Sequence, residues 1–181
     1  MLRVVLSVAH LTVLLNLSLQ RTVEAAESIT LELYNHETTA GENQTMIGSA
    51  APNGNLTEPQ FGMLITMSNI LRKGVEADSE RIGTQQGFVA VGRDGLDVYM
   101  SVVYHLNDAS GYNGSTIAVQ GNIDARVLGT SHTFAVVGGT GKFLCATGQD
   151  YSSGEALVED GSYSVHLHTL TLWIPDYCAS V

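Results

Sequence analysis

The sequence predicts an all-β fold, an eight-stranded antiparallel β-barrel, and three observations support this prediction. Short segments rich in Val, Ile, Tyr and Thr, several of them alternating apolar and polar residues, recur along the chain. Clusters of Gly, Asn and Asp separate these segments and indicate turns. No segment carries the sustained apolar stripe of an amphipathic helix. A sandwich would satisfy the same pattern, but a closed barrel also removes exposed strand edges and can enclose one small ligand.

The predicted strands follow from this pattern in chain order. They cover residues 29–34, 61–67, 87–91, 96–106, 115–120, 133–137, 143–146 and 163–174. Residues 39–60, rich in Asn, Gly, Pro and Thr, are expected to form a long loop. The segments 92–95 and 107–114 are expected to be turns, the first of them closing a hairpin. Residues 70–79 are the best helix candidate, but the segment is short and contains Gly74.

Residues 1–26 are predicted to be a secretory signal peptide, which leaves a single domain at 27–181. Arg3 is followed by a mostly apolar run that ends near the small residues Ala25 and Ala26. Polar residues interrupt this run, so it is poor material for a membrane span of about 20 apolar residues. The alternative is a buried N-terminal helix. No later segment predicts a membrane span, and a membrane is not an expected partner.

The charge balance argues against nucleic acid as a partner. The chain has 8 Lys and Arg residues against 18 Asp and Glu residues, a formal net charge of −10. A chain this acidic repels phosphate backbones, and no basic cluster offsets the repulsion. Nucleic-acid binding is therefore not expected.

Several features of the predicted domain suit a secreted protein. Cys145 and Cys178 can form a disulfide in an oxidising compartment, although the sequence does not show whether they meet. Asn43, Asn55 and Asn113 each begin an Asn-x-Ser/Thr sequon and are candidate glycosylation sites. Their polar, Gly-rich surroundings predict exposed loops.

The stretch GGTGK at 138–142 is the most distinctive part of the sequence. A phosphate-binding loop would need Gly at the position of Val136, and Ser or Thr at the position of Phe143. Neither requirement is met, so nucleotide binding is not predicted. The three glycines are instead expected to allow positive φ angles in a tight reversal between two strands.

The run AVVGGTGKF at 135–143, followed by Ala146 and Gly148, resembles the signature of the plant dirigent family. Three further blocks occur in the family's order, namely FGMLIT at 61–66, QGF at 86–88 and YNGSTI at 112–117. The resemblance extends from about Leu31 to the C-terminus. The Gly-rich block is its most specific part.

The resemblance implies a secreted, homotrimeric β-barrel of the apoplast with an internal pocket. Dirigent proteins carry no oxidative centre and no cofactor. They bind phenoxy radicals that a separate laccase or peroxidase generates, and they impart stereoselectivity on the coupling of monolignols such as coniferyl alcohol in lignan biosynthesis. This role needs an apolar pocket that orients phenols, and carboxylates that assist proton transfer at a quinone methide.

The resemblance also implies candidate catalytic carboxylates. The family's first strand ends in His-Asp, where this chain has His36 and Glu37, and Asp124 lies nearest to a second family Asp. Glu37 and Asp124 are the predicted catalytic residues, and His36 is a predicted substrate-binding residue. The alternative for both carboxylates is a solvated position at a strand end.

Three further residues are predicted to contact the substrate. His132 stands where the family usually has Arg before the Gly-rich strand, and Arg126 is close enough to substitute for that Arg. Tyr104 is a candidate pocket aromatic, with a position in the core as the alternative. The family's Asp-Asp pair after its second strand is replaced by Ser68 and Asn69, which indicates a divergent member.

His166 and His168 occupy alternate positions of the last predicted strand and therefore face the same side. Two imidazoles at this spacing can bind one metal ion, but no third ligand is evident nearby. A surface or pore-lining role is the alternative, and no metal site is predicted.

Two other functions are open on the sequence. One is an enzyme on the same barrel, acting on a phenolic or lipid substrate. It would be a cyclase like the structurally similar allene oxide cyclases, or a catalyst of pterocarpan-forming dehydration. The other is a non-catalytic cell-wall or defence module. Inward-facing carboxylates would support stereocontrol or catalysis, and a pocket filled by side chains would support the module. Secretion argues against the cyclases, which are plastid proteins.

Overall fold

The computed structural model describes residues 27–56, 58–93, 97–124, 131–157 and 162–179. The predicted signal peptide at 1–26 lies outside the described residues. Within the described part of the chain, no helix is long and apolar enough to cross a membrane.

Within these described ranges, nine antiparallel strands form the fold. They are β1 (Glu27–Thr38), β2 (Met46–Ala50), β3 (Leu64–Arg72), β4 (Arg81–Val91), β5 (Asp97–Leu106), β6 (Thr116–Asp124), β7 (His132–Thr140), β8 (Thr147–Leu157) and β9 (Tyr163–Ile174). Short 3-10 turns at Asp108–Ser110 and Gly141–Phe143, and a helical turn at Asp176–Ala179, accompany them. Burial alternates along the strands, most clearly in β5, because successive residues point to opposite faces.

Eight of the strands close into a barrel. Neighbours pair in the order β1-β9-β8-β7-β6-β5-β4-β3, and β3 pairs back to β1. The closing register places Tyr34 opposite Arg72 and His36 opposite Ile70. β2 is an extra strand that pairs with the first part of β3. The eight-stranded antiparallel barrel predicted from the sequence is confirmed.

Two strands lie where the sequence pattern did not place them. β2 occurs inside the predicted loop 39–60, where pairing with β3 holds a polar, Gly-containing segment extended. β8 begins only at Thr147, so the prediction of a strand at 143–146 was wrong. Phe143 ends a 3-10 turn and is fully buried, so its apolar character reflects core packing. No helix forms within 70–79, because residues 70–72 complete β3.

Apolar side chains fill one end of the barrel and form what we call the apolar plug. Its fully buried members include Leu33, Leu71, Ile117, Phe143, Leu170 and Leu172. Burying each such side chain stabilises the fold by about 1.5–3 kcal/mol. Towards the other end of the same strands, the inward residues are more often polar or flexible, and they leave a cavity.

A disulfide joins Cys145 to Cys178 across 33 residues of sequence. It ties the turn after β7 to the helical turn after β9. A closed loop of this length stabilises a fold by about 3–4 kcal/mol in the chain-entropy account. The sequence did not show whether Cys145 and Cys178 meet, and in the structure they are disulfide-bonded.

The Gly-rich stretch 138–142 is not one tight reversal. Gly138 and Gly139 belong to β7, and of the three glycines only Gly141 has a positive φ, +62°. Gly139 is needed for a different reason. A Cβ there would lie 2.5 Å from the carbonyl oxygen of Thr116 and 2.6 Å from that of Phe143, whereas a Cβ at Gly138 would meet nothing within 4 Å.

Gly139→Ala should therefore destabilise the barrel, with Gly138→Ala as the matched control. The added methyl at position 139 must displace two backbone carbonyls, which we expect to cost about 1–3 kcal/mol of unfolding free energy. At position 138 the change should stay within about 0.5 kcal/mol. Urea unfolding followed by circular dichroism measures both, and equal effects would contradict this packing account.

Candidate functional site

A cavity of about 300 Å³ occupies the barrel beyond the apolar plug. It is lined by residues of the strands, namely Asn35, Glu37, Met46, Met67, Gln85, Val89, Val98, Met100, Ile123, His132, Phe134, Ser152, Gly154, His166 and His168. Ligand pockets typically measure about 300–1,000 Å³. This cavity therefore suits one small molecule.

One side of the cavity is apolar. Met67, Val89, Met100, Ile123 and Phe134 supply this wall from five neighbouring strands, β3 to β7. Methionine side chains adapt their shape to a ligand, and a Phe ring packs well against another aromatic ring. The wall is therefore suited to a flat aromatic ligand.

Glu37 and His166 form a charged pair at the polar side. Glu37 Oε2 lies 3.5 Å from His166 Nε2, and the two side chains keep 19% and 32% of their exposure. Glu37 Oε1 accepts hydrogen bonds of 3.0 Å from the side-chain amides of Asn35 and Asn69. Ser164 donates to Oε2 over 3.4 Å. The carboxylate is therefore held in place while one edge of the pair faces the cavity.

Pairing outweighs burial in the ionisation of both groups. Burial raises the pKa of Glu37, but the hydrogen bond from His166 and the charge of His166 lower it by more. The net result is a pKa below the usual 4.5. Burial lowers the pKa of His166, but Glu37 raises it more, to above its usual 6.5. Between these two pKa values Glu37 is a carboxylate and His166 an imidazolium. His166 can therefore donate a proton near neutral pH.

A second carboxylate, Asp150, is fully buried behind the cavity wall. The Tyr104 hydroxyl donates to its Oδ2 over 2.7 Å. His168 Nδ1 lies 2.9 Å from Asp150 Oδ2, and His168 Nε2 lies 3.5 Å from the hydroxyl of Ser152. Burial and the charge of Asp150 raise the pKa of Tyr104 well above its usual range, so the phenol remains a neutral donor.

Two amide side chains connect the Glu37 and Asp150 groups. Asn69 donates to Glu37 over 3.0 Å and to Gln85 Oε1 over 2.9 Å. Gln85 Nε2 in turn donates to the Tyr104 hydroxyl over 3.4 Å. Because side-chain amides do not ionise, they orient the two acidic groups without passing protons between them.

The side-chain carbonyl oxygen of Asn35, Oδ1, is an unused acceptor beside the Glu37–His166 pair. Asn35 lines the cavity and is 1% exposed, and its Oδ1 has no hydrogen-bond partner among the described residues. Leaving a buried acceptor unpaired costs about 1–3 kcal/mol. A ligand hydroxyl that donates to Asn35 Oδ1 would recover part of that free energy.

His166 and His168 both line the cavity, but each ring is tied to its own carboxylate. Within the part of the chain that the structure describes, no group of three His, Cys, Asp or Glu side chains could hold a metal ion. The arrangement is instead that of two separate carboxylate–imidazole pairs.

A model of the dirigent-like protein family matches residues 28–170. The chain belongs to the dirigent family. Among its relatives, pterocarpan synthase 1 from Glycine max is 30% identical over 139 residues, which cover 71% of this chain and 74% of the relative. Dirigent protein 15 from Arabidopsis thaliana is 33% identical over 124 residues, 65% of each chain.

The barrel is also the one seen in solved dirigent structures. The structure of a pterocarpan synthase dirigent protein superposes with a TM-score of 0.73 at 23% identity, covering 83% of this chain and 86% of that one. At this identity the likeness shows the shared fold. The family resemblance read from the Gly-rich block is confirmed.

Two of the predicted site residues line the cavity, and a third lies directly behind it. Glu37 and His132 line it, and the His132 ring lies 6.3 Å from the Phe134 ring, centroid to centroid. Tyr104 lies directly behind the lining, where it contacts Asp150. Its hydroxyl therefore acts on the cavity through other side chains.

The other predicted site residues lie elsewhere. His36 is on the opposite face of β1 from Glu37, and its Nε2 bonds a backbone carbonyl oxygen in the loop after β3 over 2.9 Å. Asp124 ends β6 opposite Asp97 of β5 and does not line the cavity. Successive residues of a strand face opposite sides, which takes His36 out of the barrel. Arg126 lies outside the described residues.

The predicted glycosylation sites lie in loops. Asn43 and Asn113 are exposed, and Asn55 is half-buried between β2 and β3. Thr57, which completes the Asn55 sequon, lies outside the described residues.

Sequence reasoning missed Asp150, Gln85 and Asn69 as members of the site. Each is a polar residue on an inward face, and a short strand of mixed composition does not reveal which face is inward. One signal was present in β9. His166 and His168 continue the inward row of Leu170, Leu172 and Ile174, and that row could have placed both rings inside the barrel.

Glu37→Gln should lower the pKa of His166 to below 6.5, because burial would then act on the imidazole without an opposing charge. Proton NMR titration of the His166 ring measures this pKa. Glu32→Gln is the matched control, since Glu32 is an exposed carboxylate on the outer face of the same strand. An unchanged His166 pKa in Glu37→Gln would contradict the charged pair.

The Glu37–His166 pair makes the free energy of unfolding fall on both the acid and the alkaline side. The contribution of Glu37 is present above pH 4.5 and is lost as the pH falls through its lowered pKa. The contribution of His166 is present below pH 6.5 and is lost as the pH rises through its raised pKa. Urea unfolding measured from well below pH 4.5 to well above pH 6.5 should show both losses in the wild type and neither in Glu37→Gln.

Proposed function

We propose that this dirigent protein binds one phenolic molecule inside the barrel and directs a stereoselective ring closure that expels water, as in pterocarpan formation. The observation that carries the proposal is the Glu37–His166 pair, which places a proton donor in a cavity sized for one small molecule. Its pterocarpan synthase relatives, at 30% identity, support the same choice.

Substrate binding would follow the two sides of the cavity. A flat aromatic ring would pack against the wall formed by Met67, Met100 and Phe134, and its hydroxyl groups would face the polar side. Asn35 Oδ1 offers an acceptor for one hydroxyl. A substrate ring held between an apolar wall and a polar wall presents only one face to the attacking hydroxyl of the same molecule. This is the condition for forming a single product enantiomer.

The chemistry would begin at a benzylic hydroxyl conjugated through the ring to a phenol. His166 donates its proton to that hydroxyl, the carbon–oxygen bond breaks, and water leaves. Loss of the phenol proton makes the intermediate a neutral quinone methide. A second hydroxyl of the substrate then attacks the benzylic carbon and returns a proton to His166. General acid catalysis of this kind contributes about 10²–10⁴ in rate.

Coupling of phenoxy radicals is the second candidate. In this reaction a separate laccase or peroxidase would supply monolignol radicals, for example from coniferyl alcohol, and the barrel would orient them. The flexible methionines Met46, Met67 and Met100 favour it, because they would allow a second ring to enter the cavity. Relatives named dirigent protein 15 and dirigent protein 1 also support it. An open cavity lined by ionisable groups gives no support to a purely structural wall module.

We also propose that the protein is secreted to the apoplast, glycosylated and trimeric. The Cys145–Cys178 disulfide and the exposed sequons at Asn43 and Asn113 support secretion and glycosylation. Exposed apolar side chains on the outer face, including Tyr151 and Trp173, support association with further copies.

Chiral product analysis tests the proposal with two substrates. The first is a racemic isoflavan that carries a 4-hydroxyl and free ring hydroxyls, and the second is coniferyl alcohol with a laccase. We expect one pterocarpan enantiomer from the first, and a rate lowered by about 10²–10⁴ in His166→Gln. His105→Gln, which changes an exposed histidine on β5, should match the wild type. Stereoselective dimers from the second substrate alone would favour radical coupling, and no effect on either substrate would overturn both candidates.

A further inference from the structure

We propose that His168 is a second proton-transfer residue of this cavity, a base that takes the phenol proton, and that Asp150 and Tyr104 are its positioning residues. The proposal rests on the proposed function, because it names the group that receives the proton released when the quinone methide forms.

The hydrogen bonds around Asp150 determine which nitrogen of His168 carries the proton. His168 Nδ1 lies 2.9 and 3.0 Å from the two carboxylate oxygens and 3.0 Å from the Tyr104 hydroxyl. The single hydroxyl proton of Tyr104 is directed at Asp150 over 2.7 Å. An unprotonated Nδ1 and the Asp150 carboxylate would both be acceptors, and two acceptors do not approach this closely without a hydrogen between them. Nδ1 therefore carries a hydrogen and donates it to Asp150.

In this tautomer the basic nitrogen of His168 is the one beside Ser152, and both residues line the cavity. With Nδ1 protonated, the lone pair of the neutral ring lies on Nε2, near the Ser152 hydroxyl at 3.5 Å. A contact of that length leaves the lone pair open to a closer donor, such as a phenol. Asp150 also stabilises the imidazolium that forms when Nε2 accepts a proton, because the carboxylate is fully buried beside the ring.

The two imidazoles are given different roles because different ring nitrogens meet their carboxylates. His166 presents its Nε2 to Glu37 and is held as an imidazolium, which makes it the donor. His168 uses Nδ1 on Asp150 and has only the 3.5 Å contact with Ser152 at Nε2, which leaves that nitrogen able to accept a proton. Asn69 and Gln85, which link the two carboxylates, do not relay protons. The donor and the acceptor therefore stay distinct.

The spacing of His166 and His168 along β9 is comparable to the length of one aromatic ring of substrate with its hydroxyl groups. His166 and His168 are two residues apart on one face of β9, which sets their backbones about 7 Å apart. A phenol oxygen and a leaving hydroxyl on the carbon para to it lie at opposite ends of such a ring. His168 takes the phenol proton, and the benzylic carbon–oxygen bond breaks as His166 protonates the departing hydroxyl, which leaves as water. On ring closure the attacking hydroxyl gives its proton to His166, and His168 returns its proton to the phenolate oxygen. No net proton, electron or co-reactant is required.

Binding of 4-nitrophenol to the whole domain tests the proposal without any turnover, because the phenolate form has its own visible absorption band. In the wild type we expect bound 4-nitrophenol to ionise at a lower pH than the free probe. In His168→Gln and in Asp150→Asn the probe should still bind, but the pH of half-ionisation should rise by about 1 or more. The Asn substitution keeps the imidazole and favours the wrong tautomer. Tyr104→Phe should have a smaller effect, because the Asp150–His168 contact remains.

The controls separate this proposal from the proposed function. His105→Gln should leave both binding and ionisation of the probe unchanged, and circular dichroism should show that each variant is folded. Binding with unaltered ionisation in His168→Gln would overturn the role of His168 and leave the proposed function standing. Failure of the wild type to bind 4-nitrophenol would overturn both.

A measurement on the unmutated protein removes any dependence on how the variants fold. Nitrogen-15 NMR of the His168 ring reports which nitrogen carries the proton. We expect Nδ1–H in the neutral ring. A ring protonated on Nε2 alone would overturn the proposal.

Discussion

The burial of two carboxylates inside one barrel is the constraint on which the site depends. Among the described residues that line the cavity, none is Lys or Arg, so no fixed cation neutralises Glu37 or Asp150. Buried charge is costly unless it is paired and hydrogen-bonded. The chain meets this requirement with amides, a phenol and two imidazoles, and each donor must point at its carboxylate. The orientations of Asn69, Tyr104, His166 and His168 follow from that requirement.

The same constraint explains how the barrel divides into two ends. A partly polar interior contributes less to stability than an apolar one, because hydrogen bonds must first offset the cost of burying each polar group. The apolar plug and the Cys145–Cys178 disulfide supply stability at one end of the strands, and the network is built on the other. Glycines such as Gly139 let neighbouring backbones approach closely at the plug. Stability and chemistry are thus carried by different stretches of the same strands.

Much of the fold could be predicted from the sequence, because alternation of apolar residues in strands such as β5 follows directly from one face being buried. β2 and β8 escaped prediction because their pairing partners, rather than their own composition, hold them extended. Glu37 was found through a family pattern. Asp150 was not, because an inward Asp in a polar strand looks like a surface residue until the barrel closes. Hydrogen bonds between strands far apart in sequence, such as Tyr104 to Asp150, leave no local signal.

A crystal structure with a bound phenol tests the central claim most directly, which is that the two carboxylate–imidazole pairs act on opposite ends of one substrate ring. A suitable ligand is an isoflavan that keeps its ring hydroxyls and lacks the leaving hydroxyl. We expect the phenol oxygen within about 2.6–3.2 Å of His168 Nε2, and the unsubstituted benzylic carbon next to His166. A ligand bound outside the barrel, or one whose phenol oxygen faces Phe134 and the apolar wall, would contradict the claim.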